Sequence, residues 1–218
     1  MRPEDVSVII PCRDEAGSIA AVVQEVPYGM QTIVVDNGSS DPTAEVAARA
    51  GAAVIREPRP GYGAAVDAGA RAARRPVVCI IDGDGSMRPG ELRMLLDGLD
   101  AGADLAVGRR RPDRASTWPW HARLGSAGVA WRLRRRHGID VHDIGPMRAI
   151  GRDVLLGLDI RDRRSGYPVE LLVRAAEYGL RVVECDVTYR PRTAGRSKVS
   201  GSVVGSWRAG RDFLAALP

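Results

Sequence analysis

The feature that most constrains this chain of 218 residues is an alternation through its first half: short apolar runs of strand type, each followed by a segment with helical spacing. Val6 to Ile10 reads VSVII, a buried strand, and Ile19, Val22, Val23 and Val26 then keep the i, i+3, i+4, i+7 spacing of an amphipathic helix. Thr32 to Asp36 is a second strand; Asp41 suits the N-cap and Pro42 the first position of a helix reaching Ala50. The pattern goes on with a strand at 52–56, a helix at 64–73, a strand at 77–81, a helix at 91–99 and a fifth strand at 104–107. Strands written as continuous apolar runs between helices imply a mainly parallel sheet covered on both faces, an α/β fold.

In such a sheet, ligands bind beyond the carboxyl ends of the strands. The polar residues of interest fall there: Glu15 after the first strand, Asp36 at the end of the second, Asp82 and Asp84 after the fourth, Arg109 after the fifth. The stretch VVCIIDGDGSM sets two carboxylates on either side of Gly83. Two carboxylates a few ångströms apart repel, and staying ionised requires a cation nearby. Carboxylate oxygens suit Mg²⁺ or Mn²⁺, and Mg²⁺ is usually held by one or two carboxylates plus phosphate oxygens of its substrate. The alternative is a pair of solvated turn residues, since Asp and Gly are common at strand ends.

Composition sets few further limits. Hydrophobic residues at 44% and charged residues at 27% are ordinary for a globular chain and give no sign of disorder. The net charge of +5 suits an anionic partner. A recognisable nucleic-acid-binding module is lacking, so nucleic acid is not the expected partner. Cys12, Cys79 and Cys185 are odd in number and far apart, which favours free thiols in a reducing cytoplasm. Neither a signal peptide nor an apolar run of roughly 18 residues is present. The expected location is therefore cytoplasmic, or at the inner face of the membrane.

The second half is less regular. It holds a Trp- and Arg-rich region from Arg109 to His137, the short segment DIGPMRAI, a helix from Pro168 to Tyr178, a strand from Arg181 to Tyr189, and a basic loop before a last helix. A single domain over 1–218 is expected, with a soft division near residue 110.

Taken in order, VSVIIPCRDEAGSI, TIVVDNGSSDPT, GYGAAVDAGARAA, IIDGDGSMRP, VGRR, DIGPMRAI, GYPVELLVRAAEYGLRVVE and RTAGRSKVSG resemble the family 2 glycosyltransferases of GT-A fold. Within that family they are similar to the dolichyl-phosphate or polyprenyl-phosphate mannosyl- and glucosyltransferases. The resemblance implies an inverting transfer of a hexose from a nucleotide-diphosphate sugar, of GDP-mannose or UDP-glucose type, to a polyprenyl phosphate, with Mg²⁺ or Mn²⁺ as cofactor. It assigns Pro11, Arg13, Glu15 and Asp36 to the nucleotide pocket and Asp82 and Asp84 to the metal and diphosphate. Asn37 stands where the family has a second aspartate. Arg109 corresponds to a phosphate-facing arginine, and Arg192, Gly195, Ser197 and Lys198 to a basic loop that closes over the diphosphate. Such cations would neutralise charge building up on the leaving group.

Other readings stay open at this level. Gly61 and Gly63 shape the donor pocket through a tight turn or bring helix amides to a phosphate. Asp143 contacts an acceptor or holds Arg148. Glu170 is a catalytic base, an acceptor-site hydrogen-bond acceptor or the start of an ordinary helix. A lipid phosphate, whose second pKa is about 6, needs no strong base. The region from Trp118 to Arg136 lies on an anionic membrane or forms a helix with a solvated basic face. A soluble or polysaccharide hydroxyl acceptor, and a non-catalytic nucleotide-sugar-binding partner, are the alternative functions.

Overall fold

The computed structural model describes residues 1–114, 118 and 120–194. Seven strands form one sheet: β1 (Val6–Cys12), β2 (Gln31–Asp36), β3 (Ala53–Arg56), β4 (Val77–Ile80), β5 (Leu105–Pro112), β6 (Arg148–Gly151) and β7 (Val182–Tyr189). Their order is β3-β2-β1-β4-β6-β5-β7. All neighbours run parallel except β6, which is antiparallel to both β4 and β5. The expected mainly parallel sheet is therefore present, with one inserted strand that the sequence did not disclose.

The apolar runs become central strands because both of their faces are covered. Ile9, Ile33, Val35, Val78 and Ile80 face one core with α3 (Tyr62–Ala72), α5 (Trp120–His137), α6 (Arg152–Gly157) and α7 (Tyr167–Glu177). Val8, Ile10, Val34, Cys79 and Ala149 face the other, against α1 (Ile19–Glu25), α2 (Thr43–Arg49) and α4 (Leu92–Asp100). Successive residues of a strand point to opposite faces, so a run with no polar interruption fills both layers. The edge strand β3 is short and only partly buried, as an exposed sheet edge tends to be.

Two registers position the site. Cys12 is opposite Asp36 across β1 and β2, and the amide of Ile81 donates to the carbonyl of Ile9 at 3.1 Å. The loops after β1, β2 and β4 therefore leave the sheet side by side. Arg148, at the head of β6, is opposite Ile80 and Val107. The antiparallel strand thus places the buried Arg148 between the carboxyl end of β4 and Val107 of β5.

Asp41 sits one position further out than expected. The helix starts at Thr43, whose amide donates to the Asp41 carboxylate at 3.0 Å, and the same carboxylate accepts from the Ala16 amide at 3.1 Å. The cap of α2 therefore also pins the loop that follows β1.

Candidate active site

A cleft of about 640 Å³ opens at the carboxyl ends of β1, β2 and β4, lined by Pro11, Arg13, Glu15, Asn37, Gly61, Tyr62, Asp82, Asp84 and Arg192 among others. Of the residues expected at the nucleotide, Pro11, Arg13, Glu15 and Gly61 lie on its wall. Asp36 lies just behind, buried, accepting a hydrogen bond from the Ser39 amide at 3.0 Å.

The floor is the acidic turn. Asp84 is buried; one carboxylate oxygen accepts from the Ser86 amide at 2.8 Å and the other meets Nη1 of Arg192 at 2.9 Å. The segment carrying Arg192 is fixed across this turn, because the Arg190 amide donates to the Ser86 carbonyl at 2.8 Å and the Thr193 amide to the Asp84 carbonyl at 3.1 Å. Gly83 lets the turn close on the first loop: a Cβ there would lie 2.4 Å from the Cys12 sulfur and 2.5 Å from Oε2 of Glu15. Ser18 holds the turn from below by donating to the Gly83 carbonyl at 2.8 Å.

Burial and the charge of Asp84 push the Asp82 carboxyl up to about 6, against the opposing pull of Arg192, Arg110 and Arg148. The fold thus concentrates negative charge that its own arginines only partly offset. The two carboxylates fit a hard divalent cation that completes its shell with phosphate oxygens. They are not joined by a third His, Cys, Asp or Glu in a metal-sized cluster among the described residues. The guanidinium on Asp84 shows that this corner accepts positive charge.

Asp82→Asn should therefore stabilise the metal-free protein. A carboxyl raised above its ordinary 3.8 favours the fold while protonated and loses that contribution as pH climbs through about 6. The variant should gain roughly 1–2 kcal/mol at pH 7.5, less than the full shift because one edge of the carboxyl faces the cleft. The gain should vanish at pH 4 and below. Urea denaturation of both proteins at the two pH values checks this, and a variant weaker than the parent at pH 7.5 would refute it.

The two glycines of the third helix have a different use from phosphate binding. A Cβ on Gly61 would lie 2.1 Å from the Arg163 carbonyl oxygen, and one on Gly63 would lie 2.3 Å from that of Asp162. The amides of Gly63 and Ala64 donate to the carbonyls of Arg164 and Arg163 at 3.2 and 2.9 Å. The first amides of α3 are thus taken by the chain itself, and the glycines let the loop at 162–164 approach until Arg164 and Ser165 form a cleft wall. Those two residues were not singled out in the sequence, which offered no local sign of them.

Asn37 is also structural. Its amide nitrogen donates to the carbonyls of Glu57 and Arg59 at 2.9 and 2.7 Å, and its oxygen accepts from the Gly61 amide at 2.7 Å. A carboxylate could supply the last bond but neither of the first two.

Arg109, Asp143 and Glu170 have partners within the fold. Arg109 does not line the cleft; β5 continues to Pro112 instead of ending at Val107, so neighbouring residues point to opposite faces. Arg109 and Arg111 meet Glu184 and Asp186 of β7 at 3.7 and 2.8 Å. Arg110 turns inward. It forms a bidentate pair with Asp143 at 2.7 and 2.8 Å and lies 4.0 Å over the Trp118 ring. Asp143 accordingly holds Arg110, not Arg148, and also accepts from Ser126 at 2.6 Å. Burial would raise the Asp143 carboxyl, but the hydrogen bonds and charge of Arg110 outweigh it and hold the group below its ordinary value.

Glu170 is occupied as well. Its two oxygens accept from the Arg161 and Asp162 amides at 2.9 and 2.6 Å, which fixes the loop that forms the cleft wall. Arg148 is fully buried behind Asp82 and Tyr62, and its Nε and Nη1 have no hydrogen-bond partner among the described residues. Gly195, Ser197 and Lys198 lie outside the described residues.

Comparison with known proteins agrees with this geometry. Residues 7–156 match the family model "Glycosyl transferase family 2". An uncharacterised glycosyltransferase of Mycobacterium tuberculosis is 57% identical over 217 residues, covering 100% of both chains. The polyprenol monophosphomannose synthase of Mycolicibacterium smegmatis is 36% identical, covering 89% of this chain and 81% of that protein. Among solved structures, glucosyl-3-phosphoglycerate synthase from Mycobacterium tuberculosis, in complex with Mn²⁺, UDP-glucose and phosphoglyceric acid, superposes with a TM-score of 0.80 at 22% identity, covering 97% of this chain and 78% of that one. With an acidic turn on the floor of a cleft in a sheet of GT-A type, and a family match that spans most of its length, this chain belongs to glycosyl transferase family 2 and is a glycosyltransferase.

Proposed function

We propose that the protein transfers a hexose, with inversion, from a nucleotide-diphosphate sugar to a polyprenyl phosphate, with Mg²⁺ or Mn²⁺ held by Asp82 and Asp84. The observation that carries this reading is the acidic pair on the cleft floor with the Arg192 guanidinium already seated on Asp84. When bound, the divalent ion would neutralise charge on the departing diphosphate. Arg192 lies in the same corner and adds a second positive charge. The cleft walls at Arg13 and Arg164 orient the donor, and most of the rate enhancement comes from positioning and electrostatics.

Glu170 and Asp143 were the carboxylates able to serve as a base for an alcohol, and both are committed, one to two backbone amides and the other to Arg110. An acceptor that arrives with its own anionic oxygen needs neither. The similarity to polyprenol monophosphomannose synthase supports the same choice.

The test is transfer of label from GDP-mannose and UDP-glucose by the full chain, with detergent-solubilised polyprenyl phosphate, in Mn²⁺, Mg²⁺ or EDTA. Label should enter the organic phase with one donor and only with metal. Label transferred to a soluble phosphorylated or hydroxyl acceptor, with the organic phase empty, would replace this acceptor assignment.

A further inference from the structure

The chain carries 32 Lys and Arg against 27 Asp and Glu, and α5 alone holds five arginines and no carboxylate. The charge excess of the whole protein therefore equals that of this one helix. Its inner face is spent on the fold: Ala130 and Leu133 join the core, and Ser126 bonds Asp143. Its outer face presents large apolar residues to solvent, with Trp120 74%, Leu124 62% and Trp131 56% exposed.

These three are not scattered. At 3.6 residues per turn they fall within an arc of about 40° that runs along roughly 17 Å of the helix. Arg123 and Arg134 lie to one side of the arc, the latter donating to the Val141 carbonyl at 2.7 Å, and Arg132 and Arg136 lie further round on the other. Arg135 borders it and stacks over the Trp131 ring at 5.6 Å. A solvated basic face would carry polar residues in the arc, and a span would need an apolar helix that is absent among the described residues. An aromatic stripe between arginine rows matches the layered chemistry of a bilayer surface, where rings sit at the headgroup level and arginines meet lipid phosphates.

We propose that the outer face of α5 docks on an anionic lipid bilayer, with Trp120, Leu124 and Trp131 in the headgroup boundary and the exposed Arg123 and Arg135 beside them against lipid phosphates. A second copy of the chain is a poorer occupant, because a two-fold interface would set arginine rows against themselves. The opposite, inner face of the helix is tied to the sheet through Ser126, Asp143 and Arg110. The inference extends the acceptor reading above, since a lipid-borne acceptor would then be presented at the docked surface.

Sedimentation with vesicles tests it. The full chain should pellet with vesicles of phosphatidylcholine mixed with phosphatidylglycerol, less with phosphatidylcholine alone, and less in high salt. The variant Trp120→Ser/Leu124→Ser/Trp131→Ser should lose about tenfold or more in partitioning, with its thermal stabilisation by a nucleotide sugar unchanged. The proposal is overturned if the parent stays in the supernatant with the mixed vesicles, or if the variant pellets equally well. It is also overturned if light scattering shows a dimer that the variant dissolves. Transfer to detergent-solubilised polyprenyl phosphate without vesicle binding would remove the docking face and leave the acceptor reading; vesicle binding without such transfer would do the reverse.

Discussion

Asp84→Asn is expected to lower metal-dependent sugar transfer by about a hundredfold to a thousandfold while the protein stays folded. The asparagine keeps the oxygen that accepts from the Ser86 amide at 2.8 Å, so the turn retains its internal bond. The backbone bonds from Arg190 and Thr193 to Ser86 and Asp84 do not involve the side chain and also persist. What disappears is the negative charge that faces Arg192 and that a divalent cation requires. With one carboxylate left on the floor, a bound cation would keep only one of the two ligands proposed for it, and the arginine loses the group that seats it. The check is the transfer rate with saturating donor and Mn²⁺, together with the thermal shift that Mn²⁺ and a nucleotide sugar produce. Asp84→Ala should fail in both ways, because it also releases the Ser86 amide. Turnover by Asp84→Asn near that of the parent would remove the metal assignment.

The features read correctly from the sequence share a cause: their signal is local. VSVII and VVCII are long enough, and apolar enough on both faces, to be central strands in any α/β arrangement, and DGD follows the second of them directly. The strand β6 is four residues long, antiparallel, and carries the buried Arg148, so neither length nor hydrophobicity marks it. The inward side chain of β5 is Arg110 and not Arg109, because hydrogen bonding to β7 continues the strand past Val107 through three arginines that no apolar periodicity would include. The partners of Asp143 and Glu170 are set by tertiary approach, 33 residues from Arg110 in one case and by a loop in the other. Asn37 shows the same limit at a single position. Read against a family pattern it is a missing carboxylate, but in the fold it is an amide that needs its two donors as much as its acceptor.

The pair between Arg110 and Asp143 should give the largest stability effect in the molecule. Asp143 is 3% exposed, and its carboxylate receives the Arg110 side chain through two bonds, the Arg110 amide at 3.0 Å and the Ser126 hydroxyl. Arg110→Met removes the only full positive charge bonded to it among the described residues and leaves a buried anion with two neutral donors. Breaking a buried pair from one side typically costs about 3–5 kcal/mol, because the remaining charge stays desolvated. The ring of Trp118 loses its cation at 4.0 Å as well. Asp143→Leu should be similarly costly, since it strands the guanidinium between Trp118 and Tyr189. The double variant Arg110→Met/Asp143→Leu should lose much less than the two single losses combined, as no buried charge is left without its counter-ion. The sign of the pH dependence follows from the depressed Asp143 carboxyl: the pair stabilises above the ordinary carboxylate range and fades as pH falls through the lowered value. The deficit of Arg110→Met relative to the parent should therefore shrink in acid. Urea denaturation of the four proteins at pH 7.5, repeated near pH 3, gives the coupling energy; additive losses at pH 7.5 would show that Arg110 and Asp143 act independently and that the inward turn of β5 is not what holds this side of the cleft.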